Sequence, residues 1–357
     1  IKIHQLKKSF AFGTAIACDE YVHGDKRYQD FINKHFNWAV TENALKWDLM
    51  ERNRGVIVKD VAIQSLKKLK ANGIKIRAHN IVWSMPKYVQ GWLKALSPNQ
   101  LKAEVSKRIK WVVNDTKNYV EHWDVNNENI HGQYYQRAVN DRDYNLEIFR
   151  EAHRAGPNIK LFLNDYSVVS SGSFTESYLE QALKFKNGNS GIYGIGVQCH
   201  MAHDVPPNPT LIKKHLDILA KAGLPIWVTE LDVYTQDENL RADWYEIALR
   251  ALYGHPAVEG IMLWGFWSKR HYAGVPATIV TGDEFRINAA GKRVLHLLEN
   301  DWMTKTTQNV GQAGTRFTVD GFHGDYELKV FYDGKERTDL KQSFNVDSNG
   351  KYVTVRV

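Results

Sequence analysis

Short apolar runs that end in polar residues recur along this chain, and each is followed by a stretch with helical spacing. Ser9 to Ile16 reads as the first strand, and His23 to Lys34 as a helical or irregular link. A second apolar run starts at Phe36 and closes on Thr41-Glu42-Asn43. Val61, Ile63, Leu66 and Leu69 then recur at helical spacing until Gly73, a C-terminal stop signal, and Ile74 to Asn80 returns to strand character. Ser97-Pro98 is a helix start, with Ser as N-cap and Pro as first helical residue, for a helix running through Leu101, Val105, Ile109, Val112 and Val113. Five further strands are expected at Val120 to Glu128, Lys160 to Tyr166, Gly194 to His200, Pro225 to Asp232 and Gly260 to Phe266. Helical stretches follow them near Asn145 to Ala155, Phe174 to Phe185, Pro209 to Gly223, Leu240 to Tyr253 and Ala289 to Leu298.

Alternation of this kind means parallel strands joined by helical crossovers. Eight such units predict an α/β fold, a closed (β/α)8 TIM barrel over residues 1–304. An open doubly wound sheet is the other arrangement of such units, but the chain lacks the glycine-rich phosphate-binding turns that would favour it. From Lys305 the period changes to that of strands. Arg316 to Val319, Tyr326 to Phe331 and Tyr352 to Val357 alternate, with hairpin-turn pairs at Asp333-Gly334 and Asn349-Gly350. Residues 305–357 are therefore expected to form a small antiparallel β annex packed on the barrel, with Ile1 to His4 as a candidate extra strand.

The 357 residues suffice for one large domain and an annex, and 43% hydrophobic with 24% charged residues is ordinary for a globular protein. Aromatic residues make up 12%, including 11 Trp and 17 Tyr, which serves either a large core or stacking platforms for sugars or bases. The net charge of +7 is spread over helix faces such as Gln64 to Lys70, with no clustered basic stripe for nucleic acid. Cys18 and Cys199 are too few for a disulfide framework. No apolar stretch has the length of a membrane span, and no signal peptide is visible, so no membrane partner is expected. The opening Ile1-Lys2-Ile3-His4, without Met, reads as a processed or truncated form. Asn114-Asp115-Thr116 fits an N-glycosylation pattern within a helix-like stretch.

In a barrel of this type the site lies at the C-terminal ends of the strands. Reading only those ends collects Glu42, Asn43, His79, Trp83, Asn127, Glu128, Asp165, Tyr166, Gln198, His200, Glu230, Asp232 and Trp264. Glu128 and Glu230 end strands four and seven, on opposite sides of a narrow mouth, so their carboxyls can converge. Two such carboxyls are what retaining glycoside hydrolysis needs, one as nucleophile and one as acid then base. Metal ligation by His79, His200, Asp232 and a glutamate is an alternative without supporting H-x-H or H-E-x-x-H spacing, so no metal and no cofactor is expected. Lys46 is a candidate Schiff-base lysine or, preferably, a hydrogen-bond donor to a sugar hydroxyl.

These motifs resemble glycoside hydrolase family 10, whose main activity is endo-β-1,4-xylanase. The resemblance runs from Phe12-Gly13-Thr14-Ala15 to Trp264 and includes Thr41 to Trp47, Trp123 to Glu128, Asn164-Asp165-Tyr166, Gly196 to His200 and Thr229 to Asp232. The annex, with Gly321 to Tyr326, is similar to the C-terminal extension of plant and animal members. The resemblance implies Glu128 as acid/base and Glu230 as nucleophile. It implies that Asn127 bonds the 2-hydroxyl of the cleaved sugar and the nucleophile's surroundings, and that His200, oriented by Asp232, holds Glu230. Glu42, Asn43, Lys46, His79, Trp83 and Gln198 would grip sugars on the non-reducing side, with Trp264 as the floor and Tyr166 and Tyr272 as further sugar contacts. Ser84 stands where many members have a second His, Ser268 where many have Asp, and Tyr272 where many have Trp. The expectation is a secreted, monomeric retaining xylanase acting on xylan and xylo-oligosaccharides. A β-1,4-glucanase and a catalytically silent carbohydrate-binding barrel are the alternatives.

Overall fold

The computed structural model describes residues 10–311, 314–347 and 349–356. Eight parallel strands close on one another in sequence order: β1 Ala11–Ala15, β2 Trp38–Val40, β3 Lys75–Trp83, β4 His122–Asn127, β5 Lys160–Asp165, β6 Ile192–Val197, β7 Ile226–Leu231 and β8 Val258–Leu263. The crossover helices are α1 Lys26–His35, α2 Asp60–Ala71, α3 Pro98–Thr116, α4 Tyr144–Ala155, α5 Thr175–Asn187, α6 Pro209–Ala220, α7 Glu238–Tyr253 and α8 Ala289–His296. The (β/α)8 barrel expected from the alternation is thus present.

Local chemistry explains where these elements begin and which face they bury. Ser97 caps α3 in a reciprocal box with Gln100, Pro98 opens it, and Leu101, Val105, Ile109, Val112 and Val113 form its buried face. Asn208 caps α6 and Asp237 caps α7, each accepting from two backbone N–H groups. The link after β1 is two helices, Cys18–His23 and α1. A short hairpin, β9 Val280–Thr281 with β10 Arg286–Ile287, follows β8 and had no sequence expectation.

Side chains fill the barrel. Trp38, Phe162, Trp227 and Met262 pack inside it, with Trp264 above. Arg77 on β3 is fully buried among them, its guanidinium 4.5 Å from the Phe162 ring centroid and ion-paired with Asp124 on β4. Asp124 also lies 2.9 Å from His79 Nδ1, so the interior charge pair reaches a residue of the mouth.

Two compact units are delimited, one Ala11–Arg293 and the other Val294 onward together with Phe10, so the chain passes from one to the other within α8. In the second, β11 Gly324–Leu328 pairs antiparallel with β14 Gln342–Val346, and β12 Phe331–Tyr332 with β13 Lys335–Glu336. Asp333-Gly334 forms the hairpin turn as expected, with φ of 48° and 75°. Two expectations fail. Arg316–Val319 and Tyr352–Arg356 are not strands, and Gln342–Val346, which had been passed over, is one. Alternation describes a chain that can be a strand; only a partner at the right register makes it one. The Ile1 to His4 expectation lies outside the described residues. Cys18 and Cys199 are buried free thiols.

Candidate active site

The residues leaving the barrel turn abruptly. Glu42, Glu128, Ser167 and Cys199, which follow β2, β4, β5 and β6 closely, have φ of 34°, 57°, 56° and 62°. Such backbone is costly for residues other than glycine and concentrates where side-chain placement matters more than local comfort.

Glu128 is half-buried and receives two donors. Trp83 Nε1 donates to Oε2 at 2.8 Å and Gln198 Nε2 to Oε1 at 3.2 Å. Burial pushes its carboxyl pKa up, and the nearby Glu230 charge adds to the rise, outweighing the two hydrogen bonds. Glu230 is 4% exposed, yet its pKa is lowered. Burial alone would raise it; His200 Nε2, 3.1 Å from Oε2, the neighbouring His79, and Asn164 Nδ2, donating to Oε1 at 2.8 Å, together reverse the sign. Both carboxyls hang from one scaffold: the Glu128 N–H donates to the Asn164 carbonyl, and the Glu230 N–H to that of Gln198, each at 2.9 Å.

His200 lies between two acids, its Nδ1 2.8 Å from Asp232 Oδ2. Burial works against its charge, but Asp232 and Glu230 together raise its pKa to about 10, so it presents an imidazolium to Glu230 at neutral pH. Tyr272 donates to that same Asp232 oxygen at 2.7 Å while its residue remains 64% exposed.

On the opposite flank Lys46 is buried, donates to Asn43 Oδ1 at 2.8 Å, and sits 4.8 Å from the Trp83 ring centroid and 5.9 Å from that of Trp264. Asn43 donates in turn to Glu42 at 3.2 Å. Burial lowers the Lys46 pKa and raises that of Glu42. His79 packs edge-on to Trp264 at 5.2 Å. Tyr166 stands by the β4 and β5 ends, stacked on His131 at 3.6 Å, and His131 Nδ1 is 2.6 Å from Asp165.

Three contacts add detail to the sequence expectations. Asn127 reaches Glu230 through Asn164, whose Nδ2 donates both to Asn127 Oδ1 at 2.9 Å and to Glu230. Asn164, locked by Thr229 Oγ1 donating to its Oδ1 at 2.5 Å, was quoted only as part of a motif. The signal available was a buried amide inside an apolar strand. Gln198 also donates an amide N–H to Glu128. Among the described residues no group of three or more His, Cys, Asp or Glu is arranged to hold a metal ion.

A closed eight-stranded barrel with two glutamates of opposite pKa shift at the strand ends is the architecture of a two-carboxylate glycosidase. The profile of glycosyl hydrolase family 10 matches residues 3–277, and the chain belongs to that family. Endo-1,4-beta-xylanase 1 of Arabidopsis thaliana is 34% identical over 360 residues, covering 100% of this chain and 37% of its own length. An anti-sigma-I factor of Acetivibrio thermocellus is 35% identical over 349 residues, 98% of this chain and 45% of its own length. The chain thus spans less than half of these curated relatives. Among solved structures, an intracellular xylanase from Thermoanaerobacterium saccharolyticum has a TM-score of 0.73 at 25% identity, covering 82% of this chain and 98% of that one. Xylanase 10B from Thermotoga maritima, at 22% identity and TM-score 0.75 over 85% of this chain and 99% of its own, shares the fold.

Proposed function

We propose that this protein is a retaining endo-β-1,4-xylanase. The observation that carries the reading is the split between its two rim carboxyls, Glu128 held toward its acid form and Glu230 toward its carboxylate. Glu230 attacks the anomeric carbon while Glu128 protonates the departing glycosidic oxygen, giving a covalent glycosyl-enzyme. Glu128, now ionised, takes a proton from water, which attacks the same carbon and releases Glu230. His200 keeps Glu230 anionic and aimed; Asp232 and Tyr272 hold His200. Asn127, whose Oδ1 faces Asn164, keeps its amide N–H for the sugar 2-hydroxyl. Glu42, Asn43, Lys46 and His79 bind hydroxyls on the non-reducing side, Trp83 and Trp264 form apolar walls, and Tyr166 and Tyr272 are stacking surfaces. One chain supplies every group, so a monomer suffices, and a polymeric substrate implies action outside the cell.

The likeness to an anti-sigma factor favours one second reading, a sugar-binding barrel without turnover. Binding alone has no use for two glutamates with opposed pKa shifts, so hydrolysis is preferred. Incubation with xylan and with carboxymethylcellulose, followed by reducing-end measurement, tests this. Release from xylan, abolished in Glu230→Ala, is expected; wild-type release by that variant would overturn the nucleophile. NMR of the first product should show the β anomer, and an α product would mean inversion.

A further inference from the structure

Behind Glu128 lies a cluster of buried amides that the chemistry above does not use. Asn129, 2% exposed, donates from Nδ2 to Ser84 Oγ at 3.0 Å and to the Gly132 carbonyl at 3.2 Å. Its Oδ1 accepts from Asn145, from Gln181 at 2.9 Å and from Gln136 at 3.3 Å. Ser84 Oγ donates to Asn126 Oδ1 at 2.5 Å, and Asn126 Nδ2 to Asn145 Oδ1 at 2.5 Å. Ser84, Asn126, Asn145 and Asn129 therefore form a closed ring of hydrogen bonds.

The ring is tied to the main chain on both sides of Glu128. The Ser84 N–H donates to the Asn127 carbonyl at 3.0 Å, the Gly132 N–H to the Glu128 carbonyl at 2.8 Å, and the Tyr134 N–H to the Ser84 carbonyl at 3.1 Å. A Cβ on Gly132 would lie 2.5 Å from the Ser84 carbonyl oxygen, so the turn presses directly on the end of β3. Ser84 follows Trp83, the donor to Glu128 Oε2, and Asn129 follows Glu128 itself. One ring thus grips both the carboxyl's backbone and its indole partner. A fully paired polar ring specifies geometry in a way that an apolar packing does not.

We propose that Asn129 is a positioning residue for proton delivery, holding Glu128 and Trp83 in mutual register through this ring. The inference rests on Glu128 being the general acid. A group that positions the acid matters most when the leaving oxygen is basic and needs the proton. A group that merely stabilises the fold lowers activity on every substrate alike.

The test compares kcat/KM on phenyl β-xylobioside, a poor leaving group, with that on 2,4-dinitrophenyl β-xylobioside, a good one. Asn129→Ala, Ser84→Ala and Glu128→Ala are measured beside the wild type. Asn129→Ala should lose about tenfold or more on the phenyl substrate with a several-fold smaller loss on the dinitrophenyl substrate. Its basic pH limb should move down as the carboxyl gains water. Ser84→Ala should show the same bias more weakly, and carries the test if Asn129→Ala does not fold. Equal losses on both substrates, or an unmoved basic limb, overturn the positioning role while a biased Glu128→Ala leaves the function intact. An unbiased Glu128→Ala overturns both.

Discussion

At the scale of single residues the site works by giving two chemically identical side chains different neighbours. Glu128 faces neutral donors and Glu230 faces an imidazolium, so kcat/KM should be bell-shaped. Its acidic limb, set by Glu230, should lie below the ordinary glutamate value and its basic limb, set by Glu128, above it. His200→Gln removes the cation that favours the Glu230 carboxylate, so the acidic limb should move to higher pH. Trp83→Phe removes a donor to ionised Glu128, so the basic limb should move up as well. Both shifts are readable from initial rates on a soluble xylo-oligosaccharide. The two glutamates were legible in the sequence because an apolar strand that stops on a carboxylate makes poor core. The hydrogen bonds of Asn164 and Gln198 were not legible, because a strand's end shows which residues reach the rim but not which neighbours they bond. That depends on register, and the β4–β5 and β7–β8 pairings each shift along their length.

At the scale of elements the helices were legible from their spacing and from one marked end each. Capping residues and glycine stops are local signals: Gly73 marks the end of Asp60–Ala71, and Ser97-Pro98 the start of Pro98–Thr116. Such caps have measurable worth: Asp237→Ala should destabilise the protein by about 1 kcal/mol in urea unfolding, with activity on xylan unchanged per folded molecule. The annex was the weaker reading. Tyr326 and Phe344 stack at 5.5 Å across the β11–β14 pair, although Gln342 to Val346 alternates no more strongly than the neighbouring stretches that form no strand. In a sheet this small the partner decides which alternating stretch becomes a strand, and the sequence does not name the partner.

At the scale of the whole molecule the barrel closes around a charge pair. Arg77 and Asp124 are both buried, and the strand character of Ile74 to Asn80 does not by itself show that Arg77 faces the interior. Asp124→Leu should destabilise by about 3–5 kcal/mol, since it strands a buried guanidinium. The double variant Arg77→Met/Asp124→Leu should recover much of that loss, as a urea titration would reveal, although His79 loses its Asp124 contact in both.

The two buried thiols give the closed barrel a clock. Cys18 follows β1 and Cys199 follows β6, on separate parts of the ring. Burial pushes the Cys18 pKa up to about 12 and raises that of Cys199 as well, with Asp232 adding to the latter. Neither is a nucleophile while the wall around it is shut. Thiol reagents should therefore spare the native protein and label each cysteine only when its own segment opens. With Cys18→Ala and Cys199→Ala as single-thiol versions, the two labelling rates would report whether this barrel comes apart at one seam or everywhere at once.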